Sequence, residues 1–373
     1  MNPEQLFCPN IDCPARGQTG QSNIHIHSHQ EKRCRCDVCQ RTFVVRKGTI
    51  FYRLRTDPKT VMLVITLLAY GCPSQAIVRA FGFDERTVNN WWQRAGSHCQ
   101  ELHERLVGSR QLDLQQVQAD EIKVKVQGGS MWLAMAIMVS TRLWLGGVIS
   151  PRRDKQLIRQ LASRLRAMAL CRPLLLSVDG LSSYVSAFQK AFRSKLPRWG
   201  QPGRSILVAW ADVAIVQVIK RRTAEGLHIR RNIVQGCPQL VEQLRLITQG
   251  NLGVINTAYI ERLNATFRQR LACLARRSRH LAQKQTTLEA GMFLVGCCYN
   301  FCEMHHSLRL RLWVGERGFR WVQRTPAIAA GLTGHVWTVD ELLTYPLPPP
   351  RWQPPKKRGR PSKELLQLIE RWC

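Results

Sequence analysis

Three acidic residues form the part of this sequence that could carry out chemistry. Asp120 lies in a strand-like segment, Asp179 follows a later apolar segment, and Glu261 lies in a segment with helical periodicity. Enzymes cleave and join phosphodiester bonds with two metal ions about 3.5–4 Å apart, and Mg²⁺ takes carboxylate oxygens as ligands. The three acids therefore predict a catalytic site that binds Mg²⁺ or Mn²⁺.

The predicted elements around these acids follow a definite order. Strands are predicted at 116–126, 131–140, 142–150 and 173–178, and helices at 154–169, 182–192 and 255–270. Asp120 falls in the middle of the first strand, Asp179 at the end of the fourth, and Glu261 in the first turns of the last helix. This is the layout of ribonuclease H-like nucleases, an α/β fold in which adjacent strands bring the first two acids together.

Each acid also has an ordinary structural interpretation. Glu121 is expected on the strand face opposite Asp120, because side chains alternate along a strand, and is interpreted as a surface or supporting acid. Asp179 could belong to a plain turn and Glu261 to a solvated helix face, while Asp212 is a rival for the second or third acid. The occurrence of Asp120, Asp179 and Glu261 in this order, in a chain with only 25 acidic residues, favours a catalytic site.

The charge of the chain indicates a polyanionic partner. Its 373 residues include 55 Lys and Arg against 25 Asp and Glu, a net charge of +30, which favours nucleic acid over the alternative of a merely basic protein. No apolar run approaches the ~20 residues of a membrane span, so no membrane association is expected. Most of the fourteen cysteines stand singly in apolar segments, as free thiols do. We expect a reducing cytoplasm rather than secretion.

Two cysteine pairs near the start predict a zinc ribbon. Cys8 and Cys13 form the first pair, and Cys36 and Cys39 form the second, a CxxC that can point two thiolates at one metal. About fifty residues bury little core, so Zn²⁺ would supply folding energy. Other candidate ligands are Cys34, His25, His27 and His29. Unligated thiols are the alternative.

The next segment predicts a helix-turn-helix. Helices are predicted at 59–70, 74–81 and 85–94, with Asp84 as the N-cap of the third. Val88 and Trp92 are expected in the core. The predicted DNA-reading side chains, of types that recognise guanine and adenine edges, are Arg86, Asn89, Asn90 and Gln93. An ordinary three-helix bundle is the alternative.

Several blocks resemble bacterial transposases of the insertion-sequence-one type over roughly residues 6 to 345. The most specific are TAYIERLN at 257–264, RQRL at 268–271 and ARRS at 275–278, joined by segments at 41–43, 117–121, 299–301 and 305–308. The resemblance implies an acidic-triad transposase with a ribonuclease H-like fold, whose acids are Asp120, Asp179 and Glu261. It also implies that Arg268 contacts the transposon end and that the protein works in a bacterial cytoplasm, associated with the nucleoid.

The interval between Asp179 and Glu261 is longer than in compact members of that family. Its extra length contains two strand-like runs, at 205–220 and 227–235. We interpret them as an inserted β-hairpin at about 200–250, with basic residues available to contact DNA. The pairing of Asp120 with Asp179 is therefore better supported than the pairing of Asp179 with Glu261.

The C-terminal tail is proline-rich and then basic. Lys-Lys-Arg-Gly-Arg-Pro at 356–361 looks like an AT-hook, in which Arg358 and Arg360 would lie in a narrow minor groove. A solvated basic arm is the alternative. A short helix is expected at 363–372.

Together these features predict five segments. They are a zinc ribbon (1–50), an all-α helix-turn-helix domain (51–108), a ribonuclease H-like catalytic domain (109–310), an extension (311–345) and a basic tail (346–373). The predicted function is a transposase that binds terminal inverted repeats and target DNA as a homodimer or larger assembly. The alternatives are a non-catalytic DNA-binding regulator and a plain nuclease of the same fold.

Overall fold

The computed structural model describes residues 3–200, 202–224, 226–251, 253–276, 284–315, 318–355 and 361–373. Its contacts divide the chain into two compact units, one formed by Met1–Met62 with Leu343–Cys373 and the other by Leu63–Leu342. The units do not coincide with the five predicted segments, since the tail belongs with the N-terminal cysteines and α-helices 74–81 and 85–103 belong with the central sheet. Within the described residues, no helix is both long and apolar enough to cross a membrane.

The helices and strands are numbered separately in chain order. The first half of the chain contains β1 (Ile24–Ser28), β2 (Arg33–Cys36), β3 (Thr42–Val44), α1 (Pro58–Ala69), α2 (Ser74–Phe81), α3 (Glu85–His103), β4 (Gln116–Val126), β5 (Gly129–Met138), β6 (Trp144–Ser150), α4 (Lys155–Met168), β7 (Leu174–Val178) and α5 (Ser182–Ala191). The second half contains β8 (Arg193–Leu196), β9 (Ile206–Ala209), β10 (Val213–Thr223), β11 (Gly226–Gln235), α6 (Pro238–Gln249), α7 (Ala258–Arg270), α8 (Gln285–Cys297), β12 (Leu310–Trp313), β13 (Phe319–Val322), α9 (Pro326–Ala329), α10 (Val339–Thr344) and α11 (Lys363–Trp372).

The first unit joins both ends of the chain. β1, β2 and β3 form an antiparallel sheet, and the buried cysteines pack with Ile24 and Phe43 in a small core. Helix α11 forms where a short helix is expected, and its Trp372 is buried in the same core. The side chain of Gln18 also donates a hydrogen bond to the Trp372 carbonyl (2.8 Å). The expected AT-hook arginines, Arg358 and Arg360, lie outside the described residues.

A six-stranded mixed sheet forms the centre of the second unit, in the order β11-β10-β7-β4-β5-β6. β4, β5 and β6 form an antiparallel meander, whereas β7 pairs parallel with both β4 and β10. All five residues of β7 are buried, as a strand covered on both faces requires. The α/β class expected from the sequence is therefore confirmed as a mixed α/β structure with a mixed sheet.

The hairpin expected as an insertion is part of this sheet. β10 and β11 pair antiparallel through the turn after Thr223, but β10 also pairs with β7, from Val213 to Gln217. The residues between β7 and α7 thus contribute a core strand instead of a separate hairpin. The predicted run at 205–220 is also divided, because β9 pairs with β8 in a small sheet of its own.

Helix α3 is longer than the sequence pattern indicates. Its N-cap is Asp84, as expected, and accepts a hydrogen bond from the backbone N–H of Arg86. The helix continues to His103 instead of ending near residue 94, because Cys99 and Leu102 are buried. A side chain at Gly96 would meet the backbone of Ala290 on α8 at 2.3 Å, so the two helices cross at close range here.

Candidate active site

Two of the predicted acids meet where β7 ends. The parallel ladder between β4 and β7 finishes at the pair Ala119 and Val178, so Asp120 and Asp179 each directly follow the last residue of this ladder. Carboxylate oxygens of Asp120, Glu121 and Asp179 all lie within 4.8 Å of one another, close enough to bind one metal ion. The sheet topology therefore brings together the first two acids of the predicted triad.

Glu121 belongs to this cluster and is buried, so it is not a surface acid, which was one of the two roles that we considered for it. Its side chain is 1% exposed and accepts hydrogen bonds from the Tyr184 hydroxyl (2.7 Å) and the Arg153 Nε (2.7 Å). Alternation does direct Asp120 and Glu121 toward different helices, since Asp120 bonds to Asn264 of α7 and Tyr184 lies on α5. The ladder between β4 and β7 ends at Ala119 and Val178, so on that side of β4 no paired strand separates the carboxylates of Asp120 and Glu121.

Glu261 lies at the rim of the site. Its side chain is 50% exposed, forms an ion pair with Lys220 of β10, and accepts a hydrogen bond from the Thr257 hydroxyl (2.6 Å). Among the described residues, the group within 4.8 Å contains Asp120, Glu121 and Asp179 without Glu261. Glu261 nevertheless lines the same cleft of about 400 Å³ as Asp120 and Asp179.

Two residues that the sequence analysis missed position α7 beside the acids. Gln118 is buried two residues before Asp120, and its Oε1 accepts hydrogen bonds from the backbone N–H groups of Tyr259 and Ile260 (3.0 Å each) at the start of α7. Asn264 donates from its Nδ2 to Oδ2 of Asp120 (2.7 Å). Only the i, i+3 spacing from Glu261 could have indicated Asn264, since that spacing places both on one helix face.

The acids repel one another in the absence of a cation. Burial raises the pKa of Asp120 to about 7, and the negative charges of Glu121 and Asp179 add to this effect. Burial also raises the pKa of Asp179, against the Leu181 backbone N–H and the Arg153 guanidinium, which lower it. Burial raises the pKa of Glu261, but the hydrogen bonds from Lys220 and Thr257 outweigh this effect. The pKa of Glu261 is therefore below its ordinary value. This concentration of charge suits a divalent cation.

We expect Asp120→Asn to stabilise the metal-free protein at pH 8 much more than at pH 4. The wild-type carboxyl is protonated in both states only well below its ordinary pKa of 3.8, and its raised pKa in the folded protein makes it cost stability progressively as the pH rises from there toward 7. Asn264 can accommodate the new amide by rotating, because its buried Oδ1 has no hydrogen-bond partner among the described residues. Melting temperatures in a chelator at both pH values measure the effect, and an equal change at both would contradict it.

Arg268 lies in a second cleft that adjoins the first. This cleft has a volume of about 670 Å³ and shares Asp120 and Glu261 with the acidic site. Arg268 and Arg276 line it, and burial lowers the pKa of Arg268, as does the charge of Arg276. The cleft therefore combines positive charge with the edge of the acidic cluster.

Asp212, the rival acid, lies at the other end of the sheet. It is exposed, and its carbonyl accepts a hydrogen bond from the backbone N–H of Leu174, at the start of β7. Asp179 follows the opposite end of the same strand. The length of β7 thus separates Asp212 from the acidic cluster.

The predicted zinc ligands form a second cluster in the first unit. The Sγ atoms of Cys8, Cys13, Cys36 and Cys39 all lie within 4.8 Å of one another, with 3.6 Å between Cys8 and Cys39 and 3.8 Å between Cys13 and Cys36. Tetrahedral Zn²⁺ with Zn–S distances of about 2.3 Å requires sulfur atoms about 3.8 Å apart. The four thiols therefore fit a four-thiolate metal site.

The other candidate ligands lie outside the thiol cluster. Cys34 is buried in the small core of the first unit, where burial raises the pKa of its thiol. His25, His27 and His29 are exposed, and His25 forms an ion pair with Asp37 (2.7 Å). All fourteen cysteines fall in described residues and are free thiols.

The predicted DNA-reading residues of α3 are not equally accessible. Arg86, Asn89 and Asn90 are exposed. Gln93 is half-buried and donates to the Thr287 hydroxyl on α8 (2.9 Å). Val88 is buried as expected, but the second buried position is Trp91, while Trp92 is half-buried and donates to the Thr287 carbonyl.

Comparison with known proteins adds no family to this description. No protein-family model matches the chain, and a search of curated proteins finds no match. The acidic cluster, the four-cysteine cluster and the cleft beside the acids are thus the features that indicate what the protein does.

Proposed function

We propose that this protein is a transposase that cleaves DNA at transposon ends and joins the freed 3′ ends to target DNA. The observation that carries the proposal is the cluster of Asp120, Glu121 and Asp179 at one edge of the central sheet, with Glu261 lining the same cleft. The strand order supports a ribonuclease H-like fold, because a three-strand meander is followed by β7, which pairs parallel with the first strand of the meander, and by β10, which pairs parallel with β7. The resemblance of 256–278 to insertion-sequence-one transposases supports the same conclusion.

The chemistry requires divalent cations at the carboxylates. Asp120, Asp179 and Glu261 would hold Mg²⁺ or Mn²⁺, and Glu121 is a fourth oxygen donor. These ions would supply an activated nucleophile and charge neutralisation at phosphorus. In the first reaction water attacks a phosphodiester and leaves a 3′-hydroxyl and a 5′-phosphate. In the second that hydroxyl attacks target DNA, so one phosphodiester bond breaks as another forms.

The residues around the acids would orient this reaction. Gln118 and Asn264 hold α7 against β4, so Glu261 and Arg268 face neighbouring clefts on one helix. Arg268 would bind the phosphate backbone next to the scissile bond. Lys220 neutralises Glu261 in the free protein and would release it when a cation or DNA enters the cleft.

The two predicted DNA-binding modules would select the substrate. The zinc ribbon and the exposed Arg86, Asn89 and Asn90 of α3 would bind terminal inverted repeats. Two ends must be held together for transposition, so the proposal includes a homodimer or larger assembly on DNA.

A strand-transfer assay tests the proposal directly. The donor carries the DNA that flanks the coding sequence of this protein, and the target is a supercoiled plasmid. With Mg²⁺ or Mn²⁺ we expect 3′-hydroxyl nicks at fixed positions and donor strands covalently joined to the plasmid, and neither product with Ca²⁺ or a chelator. Nicks without joined products would instead indicate a plain nuclease. DNA binding without nicks would indicate a non-catalytic regulator.

A further inference from the structure

The small sheet formed by β12 and β13 exposes every residue of both strands. Its register pairs Arg311 with Trp321 and Trp313 with Phe319, while Leu310 pairs with Val322 and Leu312 with Arg320. Directly paired residues lie on the same face of a sheet, so all three aromatic rings share one face. We call this surface the ring face; it comprises Arg309, Arg311, Trp313, Phe319 and Trp321.

Arginine side chains and aromatic rings alternate across the ring face. The Arg311 guanidinium lies 3.7 Å from the ring centroid of Phe319, and the Arg309 guanidinium lies 3.9 Å from that of Trp321. Neighbouring rings meet edge to face, with centroids 5.7 Å apart for Phe319 and Trp321. Trp313 is 74% exposed, Phe319 43% and Trp321 40%. Large aromatic surface of this kind, left in water, marks an interaction site.

The charge of the hairpin favours a polyanion as the partner. Residues 307–324 contain five arginines and one glutamate, in a chain of net charge +30. A second copy of this chain would bring like charge to the surface, which opposes association. The partner should therefore carry negative charge and present flat surfaces to the exposed rings. Single-stranded nucleic acid does both, because its phosphates pair with arginine and its bases stack on aromatic rings.

The rings select bases that are not already stacked. Inside a duplex each base face is covered by its neighbours, and extracting a base costs a few kcal/mol. At a nick, a frayed end or a single strand the base faces are free. Arg309 and Arg311, which cover ring faces in the free protein, can turn to phosphates as bases replace them.

We propose that the ring face of β12 and β13 binds unpaired DNA bases by stacking, with Arg309 and Arg311 on the adjacent phosphates. The site is separate from the acidic cluster, and the proposal stands whether or not the protein cleaves DNA. In a protein that opens DNA ends, this surface would capture an unpaired terminal base.

Fluorescence anisotropy with the full-length protein tests this proposal. The probes are a labelled single strand of thymidines, an abasic strand with the same number of phosphates, and a blunt duplex. The variant is Trp313→Leu with Trp321→Leu, and its matched control is Leu310→Ala with Leu312→Ala on the opposite face. We expect the variant to bind the thymidine strand at least about ten-fold more weakly and the control to bind within about two-fold of the wild type.

Further comparisons separate stacking from charge and from loss of folding. Replacing both tryptophans by phenylalanine should retain most of the affinity, because a ring face remains. Arg311→Gln should weaken binding more than Arg320→Gln, its counterpart on the opposite face. The wild type should prefer the thymidine strand to the abasic strand, and the double leucine variant should lose that preference at an unchanged melting temperature.

Three results would overturn the proposal. If the wild type bound the thymidine strand and the abasic strand with equal affinity, the bases would not contribute and the ring face would contact phosphates only. A leucine variant that binds DNA normally but sediments as a smaller species would make the ring face a contact between protein copies. Normal DNA binding with lost binding to vesicles containing anionic phospholipid would make it a lipid contact.

Discussion

Asp179→Asn is expected to abolish strand cleavage while DNA binding and folding persist. Asparagine retains an oxygen that can accept the hydrogen bond from the Leu181 backbone N–H (2.9 Å in the wild type), so the turn into α5 should be preserved. The change removes one carboxylate from the cluster with Asp120 and Glu121. Loss of residues that merely support a metal ligand costs about 10–100-fold, so loss of a ligand should exceed 100-fold. Nicking of labelled donor DNA with Mg²⁺ measures the rate.

Asp212→Asn is the matched control for this change. It removes the same charge from the same fold, but Asp212 is exposed near the start of β7, away from the cleft. We expect its cleavage rate to be unchanged and its affinity for DNA to equal that of the Asp179→Asn variant. Cleavage that survives Asp179→Asn at near the wild-type rate would remove Asp179 from the site, and an equal loss in both variants would assign the effect to global charge.

Removal of the thiol cluster is expected to unfold the first unit. Zn²⁺ bound by four thiolates contributes about 10–16 kcal/mol to the folding of small ribbons, more than a core of this size can replace. Purified protein should contain about one Zn²⁺ per chain, and Cys36→Ala should contain none. Because Trp372 packs in the same core, the variant should also release α11 to proteolysis. Metal analysis and trypsin digestion measure both effects.

Cys34→Ala provides the matched control for the zinc prediction. Cys34 is buried on the same strand as Cys36, two residues earlier, but lies outside the four-thiol cluster. This variant should retain its zinc and lose only the stability of a small buried side chain. Zinc content unaffected by Cys36→Ala would refute the four-thiolate assignment.

The proximity of Asp120 and Asp179 could be predicted from the sequence, because it depends only on the position of each acid relative to an apolar strand. Each acid stands at a recognisable position in an apolar strand, and adjacent parallel strands place such positions side by side. The spacing of the four cysteines works in the same way, since it restricts which sulfur atoms can share a metal. Both sites are thus encoded in short segments that can be interpreted separately.

Other parts of the site depend on where strands end and which helices pack together. Glu121 joins the acidic cluster because β7 stops at Val178. The alternation of side chains along β4 does not indicate where the neighbouring strand β7 ends. Gln118 bonds to backbone groups of α7, which are distant in sequence and have no distinguishing pattern. Gln93 lies on a polar helix face, yet α8 packs against it. Such features follow from tertiary packing rather than from periodicity.

The burial of Trp372 beside the cysteines has a consequence for how this protein is made. Domains generally fold as the chain emerges from the ribosome, N-terminal parts first. Here a core residue of the first unit is translated only after the whole of the second unit. The core of the first unit therefore stays incomplete until residue 372 has been translated. A chain that terminated before that residue would contain the acidic cluster but lack the tryptophan that completes the cysteine-containing core.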